Sequence, residues 1–308
     1  QITWVGERSG GGRWSPDGAW IAFVSDRPGG QQSAIYVLPA TGAGEARELT
    51  RHRQAIEGLA WSPDGAQLAY MTPVDPANPD ETPPAEGAAP RVRVTRRIDY
   101  KQDGRGYLDD RRLQVFAVAV ADGARRQVTR EPVDHEFPQW SPDGRRLAAR
   151  VPRRNGMLSQ LALIDATSGE ATCISTEGGA VGTWAWSPSG DRIIFTGDPA
   201  GSPQPDIFIH DVADGTTRRL TGEYAAAPVE GAPGSGPPAQ PIWLDERQVL
   251  LNGVRAGASE VAVIDAATGA LEPERRWEAL HAGFSADRAG RTIAQARSSL
   301  ATTGDIVV

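Results

Sequence analysis

Trp14-Ser15-Pro16-Asp17-Gly18 decides how this chain reads, because it returns as Trp61-Ser62-Pro63-Asp64-Gly65 and as Trp140-Ser141-Pro142-Asp143-Gly144. Trp186-Ser187-Pro188-Ser189-Gly190 is a near copy, and Trp243-Leu244-Asp245-Glu246 and Phe284-Ser285-Ala286-Asp287 are weaker ones. The intervals from Trp14 onward are 47, 79, 46, 57 and 41 residues. Each pentapeptide is a turn: serine suits its first position, proline presets φ at the second, and glycine suits the fourth. An apolar run follows, as in Ile21-Ala22-Phe23-Val24, Leu68-Ala69-Tyr70-Met71 and Ile193-Ile194-Phe195. Apolar residues in succession are what a strand covered on both faces requires. A second run comes next, at Ile35–Leu38, Val115–Val118, Leu161–Ile164 and Ile207–Ile209. A glycine-bearing turn and a short strand then close the unit, at Gly44–Thr50, Gly123–Thr129, Gly169–Ser175 and Gly215–Thr221. Four short strands at this period are the mark of a β-propeller blade. The predicted fold is therefore all-β, a β-propeller of six recognisable four-stranded repeats spanning residues 1–308.

The five motif tryptophans, Trp14, Trp61, Trp140, Trp186 and Trp243, are expected to be structural, packing between blades rather than forming an aromatic cage for a ligand. Thr50 to Trp61, Thr129 to Trp140 and Ser175 to Trp186 each span 11 residues, and so does Thr3 to Trp14. Gln1-Ile2-Thr3 therefore reads as the last strand of a blade, and Asp305-Ile306-Val307-Val308 as a third strand. Two readings of these ends stay open. They pair and close a six-bladed ring, which removes exposed edges, or the chain is a slice of a longer array. The initial Gln1, in place of methionine, points the second way.

Composition excludes several classes of function. A net charge of −7 argues against nucleic-acid binding through phosphates. No run of 18 apolar residues offers a membrane span, and no secretory pattern opens the chain. The single cysteine, Cys173, rules out an internal disulfide and fits a reducing compartment, so a cytoplasmic location is expected. The histidines, at 52, 135, 210 and 281, show no zinc-ligand spacing, and neither a metal nor another cofactor is expected. His135, on an interblade loop, reads as structural. No Gly-x-Ser-x-Gly turn, phosphate-binding loop or dinucleotide fingerprint occurs, so no self-sufficient catalytic set is visible.

Two insertions break the period. Residues 73–112 open with six prolines in 73–90 and continue into Arg91–Arg112, where eight basic residues meet four acidic ones. Residues 223–241 hold five prolines and three glycines. Loops held by rigid blades commonly carry function. Arg96, Arg97, Tyr100 and Arg105 are the candidate substrate-gating residues, the arginines as contacts for a carboxylate or carbonyl.

The repeat resembles that of TolB-like propellers, which share Trp-Ser-Pro-Asp-Gly, the apolar strand and the Leu-Thr end. In order as well as type the chain resembles the N-terminal propeller of the prolyl oligopeptidase family of serine peptidases, in its acylaminoacyl-peptidase branch. The residues that carry this are the Trp14 motif, Ser25-Asp26-Arg27, Gly44 to Thr50, the Trp61 motif, and the insertion from Tyr100 to Arg111. The resemblance implies a seven-bladed propeller, here lacking one blade, that caps an α/β-hydrolase domain absent from this chain. That domain would carry the serine, aspartate and histidine and be the propeller's partner. The propeller would gate and select short or acylated peptides. Two alternatives remain: a TolB-like scaffold binding another protein, and a free-standing propeller lyase or glycosidase.

Overall fold

The computed structural model describes residues 8–27, 32–42, 44–83, 85–89, 92, 94, 100–102, 106–198, 205–220, 240–255, 258–278, 283–287, 291–299 and 302–308. Among them there is no α-helix, only one 3-10 turn at Arg154–Gly156. The first sheet runs β1 (Ser9–Trp14), β2 (Trp20–Ser25), β3 (Ser33–Pro39) and β4 (Arg47–His52), each strand beside its predecessor. The second comprises β5 (Glu57–Trp61) and β6 (Gln67–Val74). The chain then leaves the sheet for a small hairpin, β7 (Lys101–Gln102) with β8 (Gly106–Tyr107), and returns as β9 (Arg112–Ala119) and β10 (Arg125–Gln127). The third is β11 (Glu136–Trp140), β12 (Arg146–Arg153), β13 (Leu158–Asp165) and β14 (Ala171–Cys173). The fourth is β15 (Ala180–Trp186), β16 (Arg192–Asp198), β17 (Asp206–Asp211) and β18 (Thr217–Arg219). The fifth is β19 (Ile242–Trp243), β20 (Gln248–Arg255), β21 (Ala258–Asp265) and β22 (Leu271–Glu278). The sixth has three strands, β23 (Gly283–Ala286), β24 (Ile293–Ser299) and β25 (Thr302–Val307).

This is the β-propeller class read from the repeat: successive antiparallel meanders, one per motif. The C-terminal Asp305-Ile306-Val307 does lie on a third strand; Gln1-Ile2-Thr3 fall outside the described residues. The chain divides into two compact units, Gln1–Met157 with Leu161–Thr172, and Leu158–Gln160 with Cys173–Val308.

The motif turn is built alike in three repeats. The Ser15, Ser62 and Ser141 hydroxyls donate to Oδ1 of Asp17, Asp64 and Asp143 at 2.5, 2.6 and 2.5 Å, and accept the N–H of Trp20, Gln67 and Arg146 at 2.9, 2.9 and 3.0 Å. The same carboxylates accept backbone N–H groups of Ala19, Ala66 and Arg145. The motif glycines all lie at positive φ, between +69° and +78°, a conformation in which a Cβ is strained.

The core lies between neighbouring sheets. Ala22, Ile35, Val37 and Leu49 of the first sheet pack on Leu59, Leu68, Tyr70 and Phe116 of the second. Val115 and Ala117 of the second meet Leu147, Ala149 and Ile164 of the third. In the other unit, Ile194 and Ile207 meet Val249, Leu251 and Ile264. At roughly 25 cal/mol per Å2, burying these aliphatic faces supplies the main favourable term.

The tryptophans add direction to this packing. Trp61 donates its indole N–H to the Arg13 carbonyl at 3.0 Å, Trp140 to Ala60 at 3.2 Å, and Trp243 to Ala185 at 3.2 Å. In each case the acceptor immediately precedes the motif tryptophan of the sheet before. The Arg192 guanidinium also lies 5.2 Å from the Trp243 ring centroid. Trp186 is half-buried. Trp14 departs from the expectation of packing between blades. It is 63% exposed, because it stands on the first strand of the first sheet and, among the described residues, no sheet precedes it.

Candidate functional site

The insertion leaves the second sheet at Val74 and rejoins it at Arg112, and these two residues are register partners across β6 and β9. Its two roots are therefore held together, and between them lies a cavity of about 270 Å3. Pro73, Asp75, Asn78, Glu81 and Thr82 line it from the outgoing root, and Asp109 and Arg111 from the returning one. Arg53 and Gln54, on the connection from β4 to β5, complete the wall.

Hydrogen bonds explain why the loop takes this path. Glu81 bends back at φ +52° and its carboxylate accepts the Arg53 N–H at 2.8 Å while standing 3.2 Å from His52 Nδ1. His52 is 4% exposed, and its Nε2 lies 2.9 Å from the Tyr70 hydroxyl. One proton arrangement satisfies all three groups: Tyr70 donates to Nε2, and Nδ1–H donates to Glu81. Burial pushes the Tyr70 hydroxyl well above its ordinary range. Burial also works to raise the Glu81 carboxyl, but the hydrogen bonds from His52 and Arg53 outweigh it and hold the group lowered. Tyr70 is fully buried, so this Glu-His-Tyr series has no accessible nucleophile and acts as a brace that pins the insertion to the first two sheets.

On the other root, Arg111 is fixed in its plane. Its Nε donates to Asp109 at 2.8 Å and its Nη1 to Gln54 at 2.7 Å. Desolvation would raise the Asp109 carboxyl, yet the Arg111 side chain and N–H hold it below the usual carboxylate value. Asn78 bonds Thr82 twice through its side-chain amide, at 3.0 Å each, which stiffens the outgoing root.

Of the gating candidates, Tyr100 sits on the small hairpin, outside this cavity. It is 51% exposed, 6.4 Å from the Tyr107 ring, and its carbonyl accepts Leu108 N–H at 2.8 Å. The Lys101 ammonium lies 5.7 Å from the centroid of the Tyr107 ring. Arg96, Arg97 and Arg105 lie outside the described residues, as does nearly all of the 223–241 insertion. Sequence reasoning missed Arg53, Gln54 and Glu81. The prolines around Glu81 and the 28 residues separating it from Arg53 conceal their meeting.

His135 is fully buried on the loop into β11, with neither ring nitrogen hydrogen-bonded and Glu131 3.7 Å away. Burial lowers its pKa from 6.5. Among the described residues no histidine ring hydrogen-bonds a serine hydroxyl, and no cluster of three His, Cys, Asp or Glu side chains is arranged to hold a metal. No helix there is long and apolar enough to cross a membrane.

Residues 107–235 match the family model described as TolB beta propeller domain. Over 147 residues the chain is 31% identical to the uncharacterized peptidase YuxL of Bacillus subtilis, covering 47% of this chain and 22% of that protein. The acylaminoacyl peptidase of Pyrococcus horikoshii matches over 97% of this chain and 43% of its own, with a TM-score of 0.65 and 15% identity. An oligogalacturonate lyase in complex with manganese matches over 96% and 75%, with a TM-score of 0.67 and 15% identity. Likenesses at such identity show the fold alone. Residues 107–235 thus match TolB-like propeller repeats and part of the chain matches one protein named as a peptidase; the chain spans about a fifth of YuxL and less than half of the acylaminoacyl peptidase.

Proposed function

We propose that this propeller gates and selects substrates for a serine peptidase, working in the cytoplasm beside an α/β-hydrolase domain that carries the nucleophile. The observation that carries the reading is the 31% identity to a protein named as a peptidase. The order of the repeats and the insertion rooted beside the second motif support it. Short or acylated peptides would pass, and folded proteins would be held out. Arg96, Arg97 and Arg105, with Tyr100, would meet the peptide; losing one charged hydrogen bond should raise KM about ten-fold. The test compares the parent enzyme with a form lacking residues 1–308, on short peptides and on a folded protein. Removal of the propeller should admit the folded protein. Identical cleavage of both substrates by the two forms would overturn the proposal.

A second reading, a TolB-like scaffold that docks another protein, is favoured by the family model over residues 107–235. An antibody to this domain separates the two in native cells. A band near 32.8 kDa supports the scaffold, and a much larger one the peptidase.

A further inference from the structure

The cavity at the root of the insertion carries charge of both signs in a small space. Glu81 is occupied by Arg53 N–H and His52, and Asp109 by Arg111. The guanidinium of Arg53, by contrast, makes no hydrogen bond or ion pair among the described residues, and Arg111 is held in place by Nε and Nη1 alone. Two guanidinium groups therefore keep open donors toward one volume, and planar N–H pairs suit a carboxylate. On the same lining Asp109 takes both Arg111 donors on Oδ1, and Asp75 takes the Ala77 N–H on Oδ1 beside a further partner; an ionised carboxylate has about four lone-pair sites, so these bonds do not exhaust either group. A simple anion would face three carboxylates, and a simple cation two guanidinium groups. A molecule bearing both charges satisfies each wall. At roughly 30 Å3 per water, 270 Å3 has room for about nine waters, just under the usual range of drug-sized pockets.

We propose that this cavity binds a small α-amino acid zwitterion, as a free amino acid or as the two ends of a dipeptide, with its carboxylate on Arg53 and Arg111 and its ammonium on Asp75 and Asp109. The site lies within one compact unit and does not rest on the peptidase reading. Calorimetric titration of the 308-residue chain with alanine, Ala-Ala, N-acetyl-Ala-Ala and Ala-Ala amide tests it. Alanine or Ala-Ala should bind one to one, whichever is tighter identifying the source, and capping either end should weaken binding about ten-fold or more. Arg53→Ala should weaken Ala-Ala by a similar factor and leave the amide unaffected; its side chain is exposed, so the fold should hold. Asp75→Asn is the second variant, and should weaken Ala-Ala but not the N-acetyl form. Absence of binding, equal binding of capped and uncapped peptides, or unaltered binding in both variants would each overturn the site.

Discussion

Ser189 stands where three other repeats carry aspartate, and its neighbours show why. Its N–H and hydroxyl both donate to the Glu246 carboxylate, at 2.7 and 3.1 Å, and Arg192 pairs with the same carboxylate at 3.3 Å. An aspartate here would bring the repeat to consensus but set one carboxylate against another. Ser189→Asp should therefore lower Tm by about 2–4 °C, the shift for roughly 1 kcal/mol in a domain of this size. In a Glu246→Gln background the same change should be neutral or stabilising. Equal effects in both backgrounds would refute the coupling. The repeat was legible because Ser-Pro-Asp-Gly specifies its own turn. The exception was not, because its cause lies 57 residues away on the next sheet.

Gly169 and Gly215 occupy the same place in the hairpin between third and fourth strands, each following an aspartate by four residues. Both have positive φ, +78° and +70°, but their surroundings differ. A Cβ on Gly169 would lie 2.0 Å from the Val128 carbonyl oxygen of the preceding sheet, whereas one on Gly215 meets nothing within 4 Å. Gly215→Ala should cost only the backbone strain, about 1–2 kcal/mol. Gly169→Ala adds a backbone clash between sheets and should cost about 2–4 kcal/mol. Urea midpoints measure the difference, and equal costs would show that the sheets yield freely. The strands themselves were readable, since their apolar runs fall within β2, β3, β6, β9, β13, β16 and β17. The gap between sheets was not, because no local pattern encodes it. The same holds for the cavity: its prolines and charges marked the insertion, but the return of Glu81 to Arg53 is a tertiary event.

At the scale of the whole molecule, protonation should govern stability near neutral pH. Burial lowers the pKa of both His135 and His210 from 6.5. The unfolded chain therefore binds protons there more readily than the folded one. Their contribution is full above pH 6.5 and is lost as pH falls below it. Tm should rise from pH 5 to 7.5, and His135→Leu should flatten the rise, since neither ring nitrogen holds a hydrogen bond that the change would break. An unchanged slope in the variant would remove His135 from the account. Glu81, Asp64 and Asp143 are held lowered, so their contribution is present above the ordinary carboxylate value and lost only as pH falls through their folded values.

The indole donors of Trp61, Trp140 and Trp243 each reach toward the sheet already made, never toward the one to come. A growing chain therefore meets every such acceptor in finished form when its donor appears. At about 5–20 residues per second on the ribosome, a 47-residue interval emerges in roughly 2–9 s, long enough for one meander to settle before the next arrives. Within each unit the sheets are laid like masonry, with Trp61, Trp140 and Trp243 each a tie driven into the course below.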